Sequence, residues 1–323
     1  MLIQCGYDIT YRFNAPTPVV LMLHLRPELM PRLRAAEKFL IHPGVPCENF
    51  LDAFGNRCVR LTAPSGRLDL YGEVLVEDNG RPAPIAENAR QQSVADLPTA
   101  VLSFLRPSRY CEVDLMGELA WRLFGYLTPG WARVQAVCDW VHGLVRFDYG
   151  FASATRTARQ TWEQRVGVCR DFTHLAVTIC RCLNIPARYA TGYLGDIGVP
   201  PDPAPMDFSA CMQVYLGGEW HTFDVRHNAR RIGYIEVAHG HDAADVALTT
   251  SFGHHWLERF IVRTHEISAA SMAAQEPVSS RAAEIPEESD QIRIGGATEA
   301  DPSAARHGNF VAIEKSRQVP SAA

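Results

Sequence analysis

The sequence has no apolar run near the roughly 20 residues of a membrane-spanning helix, so a transmembrane protein is not expected. It also has no excess of one charge, since 31 lysines and arginines against 36 aspartates and glutamates give a net charge of −5. This balance argues against the basic surface that binds nucleic acid or an anionic membrane. The N-terminus shows no basic region, apolar segment and cleavage site in succession, so we expect no signal peptide.

The sequence also lacks the regularly spaced cysteine pairs that are typical of disulfide-bonded proteins. The 323 residues contain nine cysteines, an odd number without a repeated interval. Such a pattern is typical of reduced thiols rather than of a disulfide framework. A lone His-x-His pair, His239 and His241, is too little for a metal site. We therefore expect a soluble cytoplasmic protein with no cofactor and no metal, and the oligomeric state is left open.

The sequence that is present divides into three parts. Residues 1–95 alternate apolar and other residues, as at Val19, Leu21 and Leu23, and turn signals such as Asp78-Asn79-Gly80 separate the runs. This predicts an N-terminal β-sandwich-like domain. Residues 96–266 change period and form the predicted core. Residues 267–323 are rich in Ala, Ser, Glu and Pro and poor in aromatics, so we predict a disordered tail.

The core begins with helical spacing and ends with strands. Apolar residues recur every three or four positions over 116–123 and 134–145, and a third helix is predicted from Cys169 to Asn184. Strands are predicted over 187–194, 208–216 and 220–225. Helices followed by an antiparallel sheet predict the α+β class.

The start of the third helix carries the chemistry. The residues Gly167-Val168-Cys169 place a sulfur where free backbone N–H groups and the helix dipole favour an anion. The same N–H groups can hold the oxyanion of a tetrahedral intermediate. A cysteine is equally often a small buried hydrophobic residue, and Cys180 on the apolar stripe fits that description. Cys169 is therefore a candidate nucleophile that needs partners.

A predicted hairpin supplies those partners. The turn Leu216-Gly217-Gly218-Glu219 sets a register in which Cys211 faces Asp224 and Ser209 faces Arg226, all four on one face of the sheet. A side chain at 209 is a diagonal neighbour of Asp224, close enough for a carboxylate to orient an imidazole there.

The remaining histidines offer no ready substitute for an imidazole at 209. His221 and His227 have the opposite parity, so on regular strands they point to the other face. His174 lies on the third helix, five residues after Cys169, and we expect a structural role for it. His254 and His255 lie beyond the core strands and are left unassigned.

These residues carry a resemblance to a known family. The stretches that carry it are 165–176 (RVGVCRDFTHLA), 184–194 (NIPARYATGYL), 207–208 (DF), 220–224 (WHTFD) and 239–245 (HGHDAAD). They resemble the core of the bacterial transglutaminase-like superfamily, and residues 1–95, with Phe54-Gly55-Asn56, resemble the β domain that precedes it. The resemblance covers residues 1 to about 265 and implies a papain/transglutaminase-like core.

The resemblance implies a Cys-His-Asp triad that acts on the amide of a peptide or of a glutamine side chain. In this chain the nucleophile corresponds to Cys169 and the orienting acid to Asp224. The histidine corresponds to Ser209, and a tryptophan of the same stretch corresponds to Cys211. Serine cannot serve as a general base near neutral pH, and general acid–base catalysis contributes about 10²–10⁴-fold.

Three functions stay open on this basis. The first is a cysteine peptidase, amidase or acyl transferase, impaired by the loss of the histidine, with a peptide or protein as substrate. The second is a catalytically degenerate homologue (a pseudoenzyme) that binds peptide or protein. The third is a redox-responsive or metal-responsive site formed by Cys169 and Cys211.

Overall fold

The computed structural model of the protein describes residues 1–267, so the predicted tail lies outside the described residues beyond Ile267. Six strands form the first part of the chain: β1 (Leu2–Phe13), β2 (Thr17–Leu21), β3 (Lys38–His42), β4 (Cys47–Leu51), β5 (Arg57–Ala63) and β6 (Gly66–Glu77). In β1 the odd positions from Ile3 to Phe13 are buried, while Gln4, Asp8 and Arg12 are more exposed. This alternation of period two is why the segment forms a strand with one face in the core.

The second part mixes helices and strands. Four short 3-10 helices span Pro27–Arg32, Val94–Asp96, Thr99–Leu105 and Tyr149–Phe151. The longer elements are α1 (Val113–Phe124), α2 (Trp131–Leu144), β7 (Arg146–Phe147), α3 (Ala158–Gln164), β8 (Val166–Gly167), α4 (Cys169–Cys182), β9 (Ala187–Tyr193), β10 (Phe208–Leu216), β11 (Glu219–Phe223), β12 (Ile235–Gly240), β13 (Thr249–Ser251) and β14 (His255–Ile267). The predicted α+β class is confirmed, with a β-sandwich-like first module and a core of helices packed on an antiparallel sheet.

The first module consists of two antiparallel sheets of four strands. Their strand orders are β14-β1-β6-β3 and β13-β2-β5-β4. The last two strands come from the end of the described chain, since β14 pairs along β1 and β13 pairs with β2. The boundary near residue 95 stays a prediction, but pairing places residues 249–267 in the first module's sheets rather than in the core sheet.

The core sheet has the order β11-β10-β9-β12 and is antiparallel throughout. Helix α4 packs on β9 and β10, and the sulfur of Cys180 lies 3.8 Å from the sulfur of Met212 in β10. The sequence predicts one apolar stripe on this helix, but the structure buries every residue from Asp171 to Cys182, because α1, α2 and α3 cover the sides away from the sheet. Asn184 ends the helix at a positive φ of 60°, as predicted.

The predicted hairpin between β10 and β11 is confirmed. Leu216 pairs with Glu219, and the two residues between them are Gly217 and Gly218, at φ values of 62° and 99°. Positive φ at both central positions is the geometry of a two-residue turn that glycine adopts without strain. The register that follows is the predicted one, with Met212 opposite Phe223.

The two modules share one hydrophobic core. Side chains of β1 and β6 pack in the same cluster as Tyr189, Tyr193 and Phe208 of the core sheet. A second cluster lies between α1, α2, α4 and the other half of that sheet. The first cluster is the one that reaches Cys169, so the thiol lies where the two modules meet. Among residues 1–267, no helix is long and apolar enough to cross a membrane.

Candidate active site

A buried ion pair holds the start of α4. The Asp171 carboxylate accepts a hydrogen bond from the Val168 backbone N–H at 2.9 Å and lies 3.1 Å from the guanidinium of Arg156. Gly167 leaves the room for this, because a Cβ there would lie 2.4 Å from the carboxylate oxygen. Burial raises the pKa of the Asp171 carboxyl, and the Val168 N–H and two nearby arginines, Arg170 and Arg156, oppose that rise. The result is a fixed backbone just before the first residue of the helix, Cys169.

Cys169 opens into a cavity of about 200 Å³ between the two modules. The walls are largely aromatic and aliphatic, and they include Tyr149, Tyr189, Phe208 and Leu257. Residues 152–154 form another wall, and the guanidinium of Arg170 holds this segment by donating to its backbone carbonyls at Ser153 and Ala154. The thiol itself is half-buried. The cavity is the concave, mostly apolar kind of site in which small ligands or substrate side chains bind.

The surroundings of Cys169 disfavour the ionised thiolate form of its side chain. Burial and the Asp207 carboxylate raise the pKa of Cys169 to about 11, while the backbone of Ala210 and the charge of Arg226 lower it less strongly. The helix start alone leads one to expect a lowered pKa. The outcome differs because desolvation and the Asp207 carboxylate raise the pKa of Cys169 more than the Ala210 backbone and Arg226 lower it. Within residues 1–267, no histidine lines the Cys169 cavity.

Position 209 lies in β10, one residue before a backbone group that contacts the thiol. Ser209 is buried opposite Gly192 of β9, and the next residue, Ala210, is the one whose backbone hydrogen-bonds the sulfur of Cys169. The resemblance implies a histidine at position 209, and this chain has a hydroxyl there. A serine hydroxyl cannot take up the thiol proton near neutral pH.

The carboxylate of Asp224 has an imidazole partner, but from a different position. His227 Nδ1 lies 2.6 Å from Asp224 Oδ2, and the His227 backbone N–H donates to Asp224 Oδ1 at 3.0 Å. The expectation that His227 points to the opposite face is wrong, because β11 ends at Phe223 and a turn follows, closed by Asn228 N–H to the Asp224 carbonyl at 2.9 Å. Alternation between faces holds within a strand and not in a turn.

Asp224 and Cys211 share a second cavity of about 260 Å³ at the edge of the core sheet. Their common face is as predicted, and Thr222 lines the same cavity. Burial and the Asp224 carboxylate hold the pKa of Cys211 well above the usual thiol range. Cys169 and Cys211 are both free thiols, and they line different cavities.

The other histidines are held by structural partners. His174 is fully buried between the rings of Tyr110 and Tyr189, and its Nε2 accepts the Ala243 backbone N–H at 3.1 Å. His221 contacts the Leu216 carbonyl on the far face, as predicted.

His239 and His241 each bind their own carboxylate. Nδ1 of His239 lies 2.7 Å from Glu236, and Nδ1 of His241 lies 2.8 Å from Asp245. No group of three or more histidine, cysteine, aspartate or glutamate side chains in the described chain is placed to hold a metal ion.

Two charges act on Cys169 that no motif in the sequence indicates, those of Asp207 and Arg226. Asp207 comes from the segment before β10. The sequence predicts Arg226 opposite Ser209 on one sheet face, but β11 ends at Phe223, so Arg226 lies in the turn that follows, where its guanidinium stacks 3.6 Å from the ring centre of Phe147.

Comparison with known proteins supports the resemblance. The model of the transglutaminase-like superfamily matches residues 119–225. A solved structure from Cytophaga hutchinsonii, named "Putative Cysteine Protease", is 31% identical, with a TM-score of 0.70, and the match covers 83% of this chain and 91% of that one. An uncharacterized protein of Mycobacterium leprae is 31% identical over 119 residues, which are 35% of this chain and 42% of that protein's length. The chain belongs to the transglutaminase-like superfamily.

Proposed function

We propose that this chain is a thiol protein that binds the amide of a peptide or protein substrate at Cys169 and turns it over slowly. The observation that carries the proposal is the state of the thiol. Cys169 opens into a cavity at the start of α4, but burial and Asp207 hold its pKa near 11. A thiol with that pKa is ionised to about one part in ten thousand at pH 7.

In the proposed reaction the Cys169 sulfur attacks the amide carbonyl carbon. The free N–H groups at the start of α4 stabilise the oxyanion. The C–N bond then breaks, the leaving amine takes up a proton, and water or a second amine releases the acyl group from sulfur. An imidazole would take the proton from the thiol and give a proton to the leaving amine. Ser209 occupies its position and cannot do so, which lowers the rate by about 10²–10⁴-fold.

Asp224 takes the place of the orienting acid in this proposal. Residue 209 is a serine, so Asp224 has no imidazole there to orient, and both its oxygens are engaged by His227 instead. The site therefore retains the nucleophile and the carboxylate and lacks the group that couples them.

The experiment compares four proteins: the wild type, Cys169→Ala, Ser209→His and Ser209→Ala. Each is assayed for amide hydrolysis and for incorporation of an amine into a casein-type protein substrate. Slow turnover that Cys169→Ala abolishes and Ser209→His increases supports the proposal, and Ser209→Ala is the matched control for loss of the hydroxyl. Turnover that survives Cys169→Ala rules out the nucleophile.

A second candidate function, binding without turnover, rests on the same neutral thiol. It is the conclusion if wild type is inactive, Ser209→His is active, and a peptide binds both proteins equally. The redox and metal alternatives have no observation in their favour beyond a charge interaction between Cys169 and Cys211, which line different cavities. The nine cysteines, all free, support a reducing compartment such as the cytoplasm as the site of action.

A further inference from the structure

The cavity at the edge of the core sheet holds two buried donors that have no oxygen acceptor within residues 1–267. Arg231 lines it with a side chain only 8% exposed, and its Nε makes no hydrogen bond in this part of the chain. Tyr234 lines it as well, and its buried hydroxyl has only the thiol of Cys211, a weak hydrogen-bonding group, as a partner. Buried polar groups are almost always paired, because leaving one unpaired costs about 1–3 kcal/mol. Two such donors on one cavity indicate a missing acceptor.

The remaining walls indicate the shape and charge of that acceptor. Trp131, Phe223, Leu194 and Ile85 supply aromatic and aliphatic surface. Two guanidinium groups, those of Arg230 and Arg231, line the cavity against the single carboxylate of Asp224.

The anions near these arginines are already engaged. Both oxygens of Asp224 bind His227, so its charge is turned toward the imidazole. Asp196 lies 3.5 Å from the terminal nitrogen of Arg231, which leaves the Nε–H free. The site therefore has apolar walls, two arginines whose neighbouring carboxylates are already engaged, and two donors without an oxygen acceptor.

We propose that this cavity binds a small organic carboxylate, with one oxygen between Arg231 Nε–H and Tyr234 O–H and its apolar body against Trp131 and Phe223. The cavity of about 260 Å³ accommodates such a molecule. Cys211 lies in its wall, at the position where the resemblance implies a tryptophan, so a smaller side chain borders the cavity in this chain. The cavity shares the wall residue Asp224 with the proposed amide site and is distinct from the cavity of Cys169, so binding of the carboxylate does not require that the chain turns over an amide.

Benzoate is the probe, and binding to the full chain is measured by titration calorimetry. Benzamide has the same shape without the charge, and benzylamine reverses it. We expect saturable 1:1 binding of benzoate, weaker binding of benzamide, and no binding of benzylamine. If benzamide binds as tightly as benzoate, the assignment of a carboxylate is wrong, and if none of the three binds, the site is wrong.

Three variants locate the binding. Tyr234→Phe removes one donor and keeps the ring, so benzoate should bind about tenfold more weakly. Cys211→Trp fills the cavity and should abolish binding while the thermal unfolding midpoint shows that the chain is folded. Cys169→Ala alters the other cavity and should leave benzoate affinity unchanged. Unchanged affinity in both Tyr234→Phe and Cys211→Trp overturns the proposal even if benzoate binds wild type.

Discussion

His227 Nδ1 lies 2.6 Å from Asp224 Oδ2. The resemblance implies that Asp224 orients a catalytic imidazole, but the imidazole it binds here belongs to a residue three positions further along the same turn. The pair fixes the ring of His227 but does not bring it to the sulfur, since the Cys169 cavity has no histidine among its described walls. Asp224 still binds an imidazole, as the resemblance implies. That imidazole comes from His227 in the turn after β11 and not from position 209 in β10.

This pairing predicts how a restored histidine behaves. In Ser209→His the new imidazole must compete with His227 for Asp224. The double variant Ser209→His/His227→Ala should therefore be about 10–100-fold more active than Ser209→His alone, the size of one hydrogen bond to a charged group. The readout is kcat for amide hydrolysis. His142→Ala is the matched control, because His142 contacts the same turn through the Arg226 carbonyl at 2.8 Å and does not touch Asp224.

Asp207 is predicted to suppress the nucleophile. Its negative charge raises the pKa of Cys169, so Asp207→Asn removes a cause of the rise and should lower that pKa from about 11. Alkylation of Cys169 by iodoacetamide then becomes faster at a given pH below 11. Peptide mapping by mass spectrometry follows the rate at this residue, and Cys47, which is exposed and distant in the first module, serves as the internal reference. An unchanged pH profile at Cys169 contradicts the prediction.

Arg226 is predicted to act with the opposite sign. Its positive charge lowers the pKa of Cys169, so Arg226→Gln should raise it and slow alkylation at each pH. Glutamine keeps the aliphatic stem of the side chain to Cδ and loses the charge and the stacking on Phe147. Phe147→Leu is the control that weakens the stacking while keeping the charge, and it should shift the profile less than Arg226→Gln does.

The ion pair beneath the nucleophile is predicted to be structurally costly to break. Arg156 and Asp171 are 8% and 0% exposed, and removing one partner leaves a buried charge. Arg156→Ala should lower the free energy of unfolding by about 3–5 kcal/mol in urea titrations. The double variant Arg156→Met/Asp171→Asn, which removes both charges, should recover part of that loss. A cost under about 1 kcal/mol for Arg156→Ala would show that the Val168 N–H alone satisfies Asp171.

Patterns local in sequence could be predicted, and contacts between distant segments could not. The hairpin register follows from Gly217 and Gly218, and the start of α4 follows from Gly167 and Cys169, because backbone conformation and alternation decide them. The pairing of β14 with β1 joins residues more than 240 positions apart, for example Leu2 and Ile267. No local sequence pattern predicts this pairing.

The same limit applies at the candidate site. The mapping of Cys169, Ser209 and Asp224 follows from motif and register. The engagement of Asp224 by His227 depends on where β11 ends, a boundary that alternation does not supply. The charges of Asp207 and Arg226 reach the thiol from segments whose course is set by packing of the whole core.

The buried imidazole of His174 is expected to make the free energy of unfolding decrease at acidic pH. Burial, with the nearby charges of Arg170 and Arg181, holds the pKa of this imidazole well below its ordinary value, so it stays neutral in the fold. The unfolded chain takes up the proton near pH 6.5. Since the unfolded state then binds more protons, the stability is fully present above about pH 6.5 and falls with decreasing pH, by at most about 1.4 kcal/mol per pH unit for each such histidine.

The test is the free energy of unfolding between pH 5 and 8. Burial also lowers the pKa of His239 and His255, so the wild-type slope below pH 6.5 should exceed that of a single group. His174→Gln keeps an acceptor for the Ala243 N–H and removes the titration, so it should lower stability at pH 7.5 and flatten the slope below pH 6.5. His24→Gln is the matched control, because His24 is paired with Glu37 at 2.9 Å in the first module, and the slope assigned to His174 should persist in it. A wild-type curve that is flat from pH 7 to 5 contradicts the assignment.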